Sequence, residues 1–513
     1  MSRTHAITIA ALLAAATTAP ALAQTYERII GDPDEQRSEW VVSVHDASGN
    51  HGSAHAGFNY DGSDFDIYLA RLKPDGTTLW DTRLGTPASF ESASRIERSQ
   101  TSDDGFLVSG NSSFFGSTGA VRYSIALTRL DANGNMLWSH AYAGDSGDVG
   151  LDVLSGQSLL CGQIQLQPFA DRGAVVHSID AFGVPIWGKY YADALAGPST
   201  LNSFSDIHFV DEPDGSRSIV AVGSTIPALS SSDTLVVKLD MTGAVLWAYV
   251  YGPSNHSDFA LGLEPAANGD LLVTGYSKES GEGGGAYVMR LTSNGTLLWW
   301  KDYRGIYPSN SIHEEPSGAI VIAGTTWDIN SPIQDLALMQ LDAFGNVNWV
   351  KRYGGQNSEY GEAVDLSPNG YVLSAWSRPA NNVPFNLYAL AADANGNTGC
   401  ENDWSVVVIP RQHFYSGHLF EGHDLPDSFD LPFSQSWPNN PNTSFCDEST
   451  PFDPTCPSAW APPYNVSDFS DVIAFLSAFS VNDPNAAALA PPLSLCDFSD
   501  VVAFLAGFGS PCP

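Results

Sequence analysis

The sequence predicts an all-β repeat fold built from seven copies of a four-stranded unit, and three observations support it. A tight Asp-x-x-Gly turn, or a close variant, recurs between apolar segments, with its glycine at Gly76, Gly134, Gly183, Gly243, Gly295, Gly345 and Gly396. These glycines recur with a period of roughly fifty residues, which indicates a repeat architecture. A tryptophan follows six of the glycines at one fixed offset: Trp80, Trp138, Trp187, Trp247, Trp299 and Trp349.

The fifth copy shows the four expected strands most clearly, at residues 260–264, 270–276, 286–292 and 297–303. Asn268-Gly269 and Asn294-Gly295 separate consecutive strands, and Asn-Gly pairs favour hairpins because type I′ turns need positive φ. The second strand of several copies contains an interior glycine, which indicates close backbone approach: Gly110, Gly223, Gly275 and Gly324.

The two ends of the repeat array predict how it closes. The last copy reaches its third strand, residues 387–393, and lacks the tryptophan-bearing fourth strand. Tyr26–Ile30 resembles the segment that follows tryptophan in other copies, so we expect it to supply the missing strand; residues 404–409 compete for that position. The prediction is a seven-bladed β-propeller of four-stranded blades over residues 24–399, closed by the N-terminal strand, which leaves no free terminal sheet edge.

The repeated tryptophans have two interpretations. They could form a stacking platform for a ligand, or each indole could pack between neighbouring blades. One tryptophan per copy at a constant offset favours packing, since large aromatic side chains dominate the energetics of such cores.

The pattern D-x-x-G-x-x-x-W after an apolar strand resembles the bacterial propeller repeats called SBBP. More loosely, it resembles the tryptophan-bearing repeats of quinoprotein dehydrogenases and of outer-membrane assembly propellers. The resemblance covers about residues 26–397. It implies an architecture and no particular chemistry, because propellers are scaffolds for unrelated activities.

Composition and the N-terminus predict an exported protein. Arg3 and His5 precede an apolar run, and Ala21-Leu22-Ala23 is an A-x-A cleavage site, so residues 1–23 are expected to be a signal peptide. No later apolar run is long enough for a membrane span. The net charge of −35 disfavours nucleic acid and anionic membranes as partners. The expected location is secreted or on the cell surface.

Candidate binding residues lie on the loops between second and third strands, which are long and varied. Phe114, Phe115 and Trp327 are apolar side chains on loops rich in Ser, Gly and Asn. Variable loops on a rigid scaffold are the usual place for binding, and a glycan or a protein is the expected ligand. Ordinary loop packing explains these aromatics equally well.

No catalytic residue is predicted. Gly144-Asp145-Ser146-Gly147 spells a serine-protease motif but occupies the linker between copies, without an accompanying histidine segment. Quinoprotein dehydrogenases use adjacent cysteines, and none are adjacent here. The leading hypothesis is a non-catalytic binding or surface protein without a cofactor. The alternative is a carbohydrate-active or other hydrolytic enzyme, and a quinoprotein dehydrogenase is third.

The C-terminal region differs from the repeats. Residues 400–455 are expected to be an irregular extension and linker rich in Pro, Asp and Ser. Residues 468–479 (DFSDVIAFLSAF) and 497–508 (DFSDVVAFLAGF) have helical apolar periodicity. Cys161 is expected to be a buried thiol, and the preferred disulfide pairings are Cys400–Cys446 and Cys456–Cys512, although pairing cannot be deduced from sequence.

Residues 456–513 resemble the dockerin-like modules of exported bacterial proteins, in a cysteine-bracketed variant. The resemblance implies docking to an extracellular or cell-surface partner, and it implies calcium ligands at Asp471 and Asp500, with Asp468 and Asp497 as further candidates. The upstream acidic ligands of the calcium loop are missing. Helix capping by these four aspartates is therefore the preferred interpretation.

Overall fold

The structure, a computed structural model, describes residues 25–30, 34–45, 51–85, 90–100, 104–115, 121–145, 147, 149–165, 172–193, 201–226, 231–252, 256–279, 283–327, 333–354, 357–378, 385–411, 415–417 and 420–424. Within these ranges all regular structure is β-strand, so the all-β prediction is confirmed there. The predictions for residues 1–23 and 456–513 lie outside the described residues. The described part of the chain contains no helix long and apolar enough to cross a membrane.

The strands are numbered in chain order, and β1 is Tyr26–Ile30. Successive groups of strands repeat one pattern. The first group has β2 (Glu35–His45), β3 (His51–Tyr60), β4 (Phe65–Leu72) and β5 (Thr78–Leu84); the second has β6 (Phe90–Arg98), β7 (Phe106–Phe115), β8 (Val121–Leu130) and β9 (Met136–Tyr142); the third has β10 (Gly150–Leu154), β11 (Gln157–Gln165), β12 (Arg172–Asp180) and β13 (Pro185–Asp193).

The remaining strands continue this order. The fourth group has β14 (Leu201–Asp211), β15 (Arg217–Ile226), β16 (Asp233–Asp240) and β17 (Val245–Tyr251); the fifth has β18 (His256–Pro265), β19 (Leu271–Glu279), β20 (Gly285–Leu291) and β21 (Leu297–Arg304); the sixth has β22 (Ile306–Glu314), β23 (Ile320–Thr326), β24 (Leu336–Leu341) and β25 (Val347–Tyr353); the seventh has β26 (Ser358–Ser367), β27 (Gly370–Arg378) and β28 (Asn386–Asp393). Four short strands follow: β29 (Asn402–Asp403), β30 (Val407–Pro410), β31 (Tyr415–Gly417) and β32 (Phe420–Asp424).

The N-terminal strand completes the last group. Consecutive strands within each group pair antiparallel, and β1 pairs antiparallel with β28, with Tyr26 opposite Ala391 and Ile30 opposite Leu387. The predicted role of Tyr26–Ile30 is therefore confirmed. The competing segment lies elsewhere, because β30 pairs with β21.

The first strands of the groups lie innermost. Each contacts the first strand of the next group, and β26 of the last group contacts β2 of the first. Most of these strands contain a bulge, for example between Ala93 and Arg95. A Cβ on Gly110 of the neighbouring second strand would collide with the carbonyl oxygen of Ser92, and the other interior glycines are confined in the same way. The glycines therefore make room for the bulged inner strands.

The described segments 402–411, 415–417 and 420–424 edge the sheets on the outside, and we call them the strap. β29, β30, β31 and β32 pair with β25, β21, β17 and β13, so the strap visits the sixth, fifth, fourth and third groups in turn. Sequence analysis assigned these residues to an irregular extension, and the structure corrects that assignment. Unpaired outer strands offer backbone donors and acceptors that even a short extended segment can satisfy.

A tryptophan and a tyrosine on the fourth strand connect successive groups. Trp187 Nε1 donates to the carbonyl oxygen of Met241 at 3.0 Å, and a Cβ on Gly243 would lie 2.9 Å from the Trp187 ring. Four residues after this tryptophan, Tyr191 Oη donates to Gly243 O at 2.9 Å. The same tyrosine bond recurs at four more boundaries: Tyr142–Gly183, Tyr251–Gly295, Tyr303–Gly345 and Tyr353–Gly396. Five of the seven turns are thus held by a tyrosine of the preceding group.

Candidate functional site

The antiparallel strand order gives the repeat array two different ends. The turn face carries the Asp-x-x-Gly turns and the turns between first and second strands. The loop face carries the loops between second and third strands and the linkers between groups. Binding was expected on the loop face, and the described residues show what lies there.

One aromatic cluster on the loop face contains a predicted binding residue. Trp327, which follows β23, is 37% exposed. Its ring lies 4.9 Å from that of Tyr307, and Tyr307 stacks on Tyr276 at 5.6 Å. The Trp327 backbone N–H donates to Gly305 O at 2.9 Å. These contacts hold the partly exposed indole of Trp327 in a fixed position.

A second aromatic cluster surrounds Arg37 where the last group meets the first. The guanidinium lies 4.6 Å from the Trp376 ring, 4.1 Å from Phe385 and 5.4 Å from Phe58. Phe58 in turn contacts Phe65 at 5.6 Å. Arg37 also pairs with Glu35 at 2.8 Å. Cation–π contacts of this kind stabilise the junction and place aromatic surface beside the inner strands.

A loop-face cleft of about 310 Å³ opens among the inner strands. Phe58 and Phe90 form part of its wall, and Phe90 is 41% exposed. The other wall residues include bulge residues of four different first strands: Glu39, Ser94, Ser205 and Asn310. Bulges re-aim side chains, which explains why polar groups from distant parts of the sequence converge here.

Arg95 belongs to the same cleft and reaches across to another group. Its Nη2 lies 3.2 Å from Asp206 Oδ1, and its guanidinium stacks on the Trp40 ring at 3.9 Å. Both members of the ion pair are buried. The charge of Arg95 holds the pKa of Asp206 below its usual value, although burial opposes this. Arg95 is therefore a neutralised, rigid part of the cleft.

Towards the turn face, six first strands each place a titratable residue at an equivalent position: Glu97, Asp152, His208, Glu264, His313 and Asp365. We call these residues the inner ring. They line the inner strands next to a turn-face cleft of about 490 Å³, whose wall includes Glu97, Asp152 and Asp365.

The two histidines of the inner ring each lie between two carboxylates. His208 Nδ1 is 3.6 Å from Asp152 Oδ2 and its Nε2 is 3.7 Å from Asp206 Oδ1. His313 Nδ1 is 3.6 Å from Glu264 Oε2 and its Nε2 is 3.9 Å from Asp365 Oδ1.

These carboxylates govern the protonation of both imidazoles. Burial alone would lower the pKa of His313, but Glu264 and Asp365 outweigh it and raise the pKa to about 9. For His208 burial is likewise outweighed by Asp206 and Asp152, which raise its pKa well above the usual value. Both imidazoles are therefore cations that join neighbouring groups at neutral pH.

The pKa of Glu97 is raised as well, but for a carboxyl group this favours the neutral form. Burial, together with the charges of Asp152 and Asp365, raises the pKa of Glu97 to about 8. The two neighbouring carboxylates hold backbone across group boundaries: Asp152 Oδ2 accepts from Phe209 N at 2.7 Å, and Asp365 Oδ2 accepts from Ser43 N at 2.6 Å. Within the described ranges, no group of three or more His, Cys, Asp or Glu side chains is arranged to hold a metal ion.

The structure places the predicted site residues in different environments. The repeated tryptophans lie on fourth strands, and Trp80, Trp187, Trp299 and Trp349 contact the turn glycine of the next group. Phe114 and Phe115 are not on a loop: β7 continues through Phe115 and pairs with β8, since the hairpin is longer than expected. Cys161 is buried and Cys400 is exposed. Outside the described residues lie Cys446, Cys456, Cys512, Asp468, Asp471, Asp497 and Asp500.

The inner ring was missed by sequence analysis, although a signal exists. In six first strands an apolar residue is followed directly by the titratable one: Ile96-Glu97, Leu151-Asp152, Ile207-His208, Leu263-Glu264, Ile312-His313 and Val364-Asp365. This recurrence becomes visible once the repeats are aligned on their first strands.

The repeated four-stranded sheets, the contacting first strands and the linked turns define a β-propeller repeat protein. A family profile described as "Domain of unknown function (DUF5122) beta-propeller" matches residues 266–297. No curated protein matches the sequence.

Several solved structures resemble the chain at low identity. A protein of unknown function from Dyadobacter fermentans has 12% identity and a TM-score of 0.40, covering 71% of this chain and 96% of that one. Sqt1 from Chaetomium thermophilum has 10% identity and a TM-score of 0.39, covering 70% and 96%. A glucose dehydrogenase has 12% identity and a TM-score of 0.33, covering 72% and 100%. At these scores the resemblances carry no argument about function.

Proposed function

We propose that this protein is an exported, non-catalytic binding protein. Its seven four-stranded blades form a closed seven-bladed propeller, the loop face binds a ligand, and residues 456–513 dock to an extracellular or cell-surface partner. The cyclic contacts of the first strands and the pairing of β1 with β28 support the closure. Deleting Tyr26–Ile30 from the mature chain should strongly lower the melting temperature. An Ile29→Ser variant, altered at an exposed position of β1, is the matched control and should melt close to wild type.

The loop-face cleft is the observation that carries the binding function. Its size is at the lower end of small-molecule sites, which span about 300–1,000 Å³. Its wall combines the rings of Phe58 and Phe90 with the polar side chains of Ser94 and Asn310. The cationic wall residue Arg95 is already paired with Asp206. Aromatic faces beside hydroxyl and amide groups suit a neutral, hydroxyl-rich ligand, so a glycan is the preferred class.

A glycan array probed with the mature protein, with hydrolysis assays run in parallel on the bound glycans, tests this function. Binding without turnover is expected. Phe90→Ala should weaken binding at the cleft, and Trp327→Ala should weaken it if longer glycans reach the neighbouring cluster. Phe344→Ala removes a phenyl ring that is 72% exposed on the turn face and should bind like wild type. Equal binding by Phe90→Ala and wild type would refute the cleft as the binding site.

A second candidate function, a hydrolase recruited through the C-terminal module, is favoured by one observation. Glu97, with its pKa raised to about 8, lines the turn-face cleft together with Asp152 and Asp365. A protonated carboxyl near other carboxylates is the arrangement from which glycosidases build a general acid and its partner. Binding is preferred because Asp152 and Asp365 already hold backbone N–H groups. Hydrolysis of chromogenic glycosides by wild type, abolished in Glu97→Gln, would establish the enzyme instead.

The remaining parts of the proposal concern the ends of the chain. Mass spectrometry of the exported protein should place its first residue at Gln24. The four C-terminal aspartates are proposed to cap helices without binding calcium, so Asp471→Asn and Asp500→Asn should leave calcium binding unchanged. A dye-reduction assay with added quinone and calcium tests the third hypothesis, the quinoprotein dehydrogenase, and no reduction is expected.

A further inference from the structure

We propose that the boundary between the fourth and fifth groups binds a hard divalent cation, with Ca²⁺ as the best fit. The proposed ligands are the carboxylates of Asp233 and Asp258 and the hydroxyls of Ser232 and Ser277. Asp233 begins β16, Asp258 lies on β18, and Ser277 lies opposite Asp258 on β19. The site is therefore on the loop face, outside the cleft described above.

Both carboxylates lie against the same backbone position. A Cβ placed on Gly252 would be 2.5 Å from Asp233 Oδ1 and 3.1 Å from Asp258 Oδ2. The backbone N–H of Asp258 donates to Ser232 O at 2.8 Å, which brings Ser232 to the same place. Two acidic side chains thus converge on one small volume that any residue other than glycine at position 252 would fill. Ser232 and Ser277 border Asp258, through a backbone hydrogen bond and through strand register respectively.

Among the described residues, few partners exist for the oxygen atoms in this volume. Asp233 Oδ1, both carboxylate oxygens of Asp258, Ser232 Oγ and Ser277 Oγ are buried with no well-formed hydrogen bond to the described residues. The Ser277 side chain nonetheless lies near enough to Asp258 to favour its ionised form. Asp258 is 0% exposed, and Ser232 and Ser277 are each 3% exposed. Buried polar groups without partners are rare because each costs its full desolvation free energy. One cation coordinated by these oxygens would satisfy all of them together.

Two other boundaries show what normally balances such carboxylates. Asp335 and Glu359 flank Gly354 in the same manner, and Arg352, two residues before Gly354, lies 3.3 Å from Asp335 Oδ2. At the boundary of the first and second groups, Asp66 lies against Gly85, and Arg83 again stands two residues before the glycine, although it pairs with Asp34 at 2.8 Å and acts on Asp66 only through its charge. An arginine from the fourth strand thus pairs directly with the carboxylate at Asp335 and acts less directly at Asp66.

The boundary of the fourth and fifth groups has no such arginine, because Val250 stands two residues before Gly252. Arg411 of the strap is already engaged, because its guanidinium donates to Asp302 in a buried ion pair. The carboxylates of Asp233 and Asp258 therefore lack a balancing arginine from their own fourth strand.

The donor set selects the kind of cation. All the ligands are oxygen atoms, which hard cations prefer over the nitrogen and sulfur ligands of zinc or copper. Asp258 can bind through both oxygens, and Asp233, Ser232 and Ser277 add one each. With one or two waters this reaches the six to eight ligands of Ca²⁺, whose flexible geometry tolerates such a mixed set better than the strict octahedron of Mg²⁺.

Calorimetric titration of EDTA-stripped mature protein with CaCl₂, and separately with MgCl₂, at pH 7.5 tests the proposal. Wild type should bind Ca²⁺ more tightly than Mg²⁺. Asp258→Asn should lower Ca²⁺ affinity at least tenfold. Asp335→Asn, the same substitution at the arginine-balanced boundary, is the matched control and should bind like wild type. Absence of Ca²⁺ binding by wild type, or undiminished binding by Asp258→Asn, would overturn the proposal.

Thermal melting separates binding from misfolding. Asp258→Asn keeps the side-chain volume and removes a buried negative charge, so in EDTA it should melt at or above the wild-type temperature. Ca²⁺ should raise the melting temperature of wild type and of an Asp471→Asn/Asp500→Asn variant, and it should not raise that of Asp258→Asn. Equal Ca²⁺ shifts in wild type and Asp258→Asn would locate the cation elsewhere.

Discussion

Tyr353 Oη donates a hydrogen bond of 2.7 Å to the carbonyl oxygen of Gly396, joining the sixth group to the turn of the seventh. Tyr353 lies four residues after Trp349, whose ring packs on the same turn glycine. The tryptophan and the tyrosine of one fourth strand therefore hold the next turn from two sides, which explains why both recur.

Tyr353→Phe should destabilise the protein by about 1–3 kcal/mol, because it leaves the buried Gly396 carbonyl without its donor. Urea unfolding should show a lower midpoint with an unchanged slope. Tyr123→Phe removes a hydroxyl from a tyrosine that is 50% exposed, and its midpoint should match wild type. A Tyr353→Phe midpoint equal to that of Tyr123→Phe would contradict the role of the bond.

Gly243→Ala should be more destabilising than Gly215→Ala. Both glycines have positive φ, +76° and +83°, so both substitutions carry backbone strain of roughly 1–2 kcal/mol. A Cβ at position 243 also meets the Trp187 ring at 2.9 Å, whereas nothing lies within 4 Å of one at position 215. The difference between the unfolding midpoints of the two variants measures how tightly the Gly243 turn packs against the preceding group. Equal midpoints would show that backbone strain alone accounts for both losses of stability.

Arg411→Met should loosen the strap from the fifth group. Arg411 forms a buried ion pair with Asp302, and removing one member of such a pair costs about 3–5 kcal/mol because the other charge stays buried. Limited proteolysis of residues 402–424 should accelerate, and Arg411→Met/Asp302→Asn should recover part of the loss. Lys351→Met breaks an ion pair with the exposed Asp403 and should change stability by less than about 1 kcal/mol.

The stability of the propeller should fall as pH rises from about 6 to 9. The pKa of His313 is about 9 in the folded protein, above its ordinary value, so folding retains a proton that the unfolded chain releases first. The stabilisation that this proton gives the folded protein is complete below the pKa of His313 in the unfolded chain, and it is lost as the pH rises through 9. Glu97 also keeps its proton longer in the folded protein, because its folded pKa is about 8. Stability therefore also falls as the pH rises from the ordinary pKa of a glutamate to about 8.

Urea midpoints measured at pH 6, 7.5 and 9 test this dependence. His313→Gln should flatten the decline, since it removes a group whose folded pKa is raised to about 9. His140→Gln changes a histidine whose pKa is lowered by burial and should leave the slope between pH 7.5 and 9 unchanged. A wild-type midpoint that does not fall over this range would show that the inner ring is not charged as described.

Sequence periodicity predicted the parts of the fold that depend on local signals. Asp-x-x-Gly turns need positive φ at the glycine, and Gly345 has φ of +74°. The sequence pattern therefore predicts the turns and the strands on either side of them. The closing strand Tyr26–Ile30 was readable because it repeats a segment found in complete copies.

The candidate surfaces depend on signals that are not local. Arg95 and Asp206 meet because bulges in two first strands rotate them towards each other, and a bulge leaves no distinct residue pattern. The strap was missed because β29 and β31 are only two and three residues long. Asp233 and Asp258 lack a balancing arginine because Val250 stands where Arg352 stands at the next boundary but one, and this difference appears only when the groups are aligned.

The strap has a mechanical consequence for a protein held by its C-terminus. Because β32, β31, β30 and β29 lie on successively earlier parts of the chain and on different groups, tension applied beyond residue 424 is borne by one short ladder at a time. Force would peel β32 first and β29 last. Under such a load the strap would yield in small steps before the force reached the four-stranded sheets.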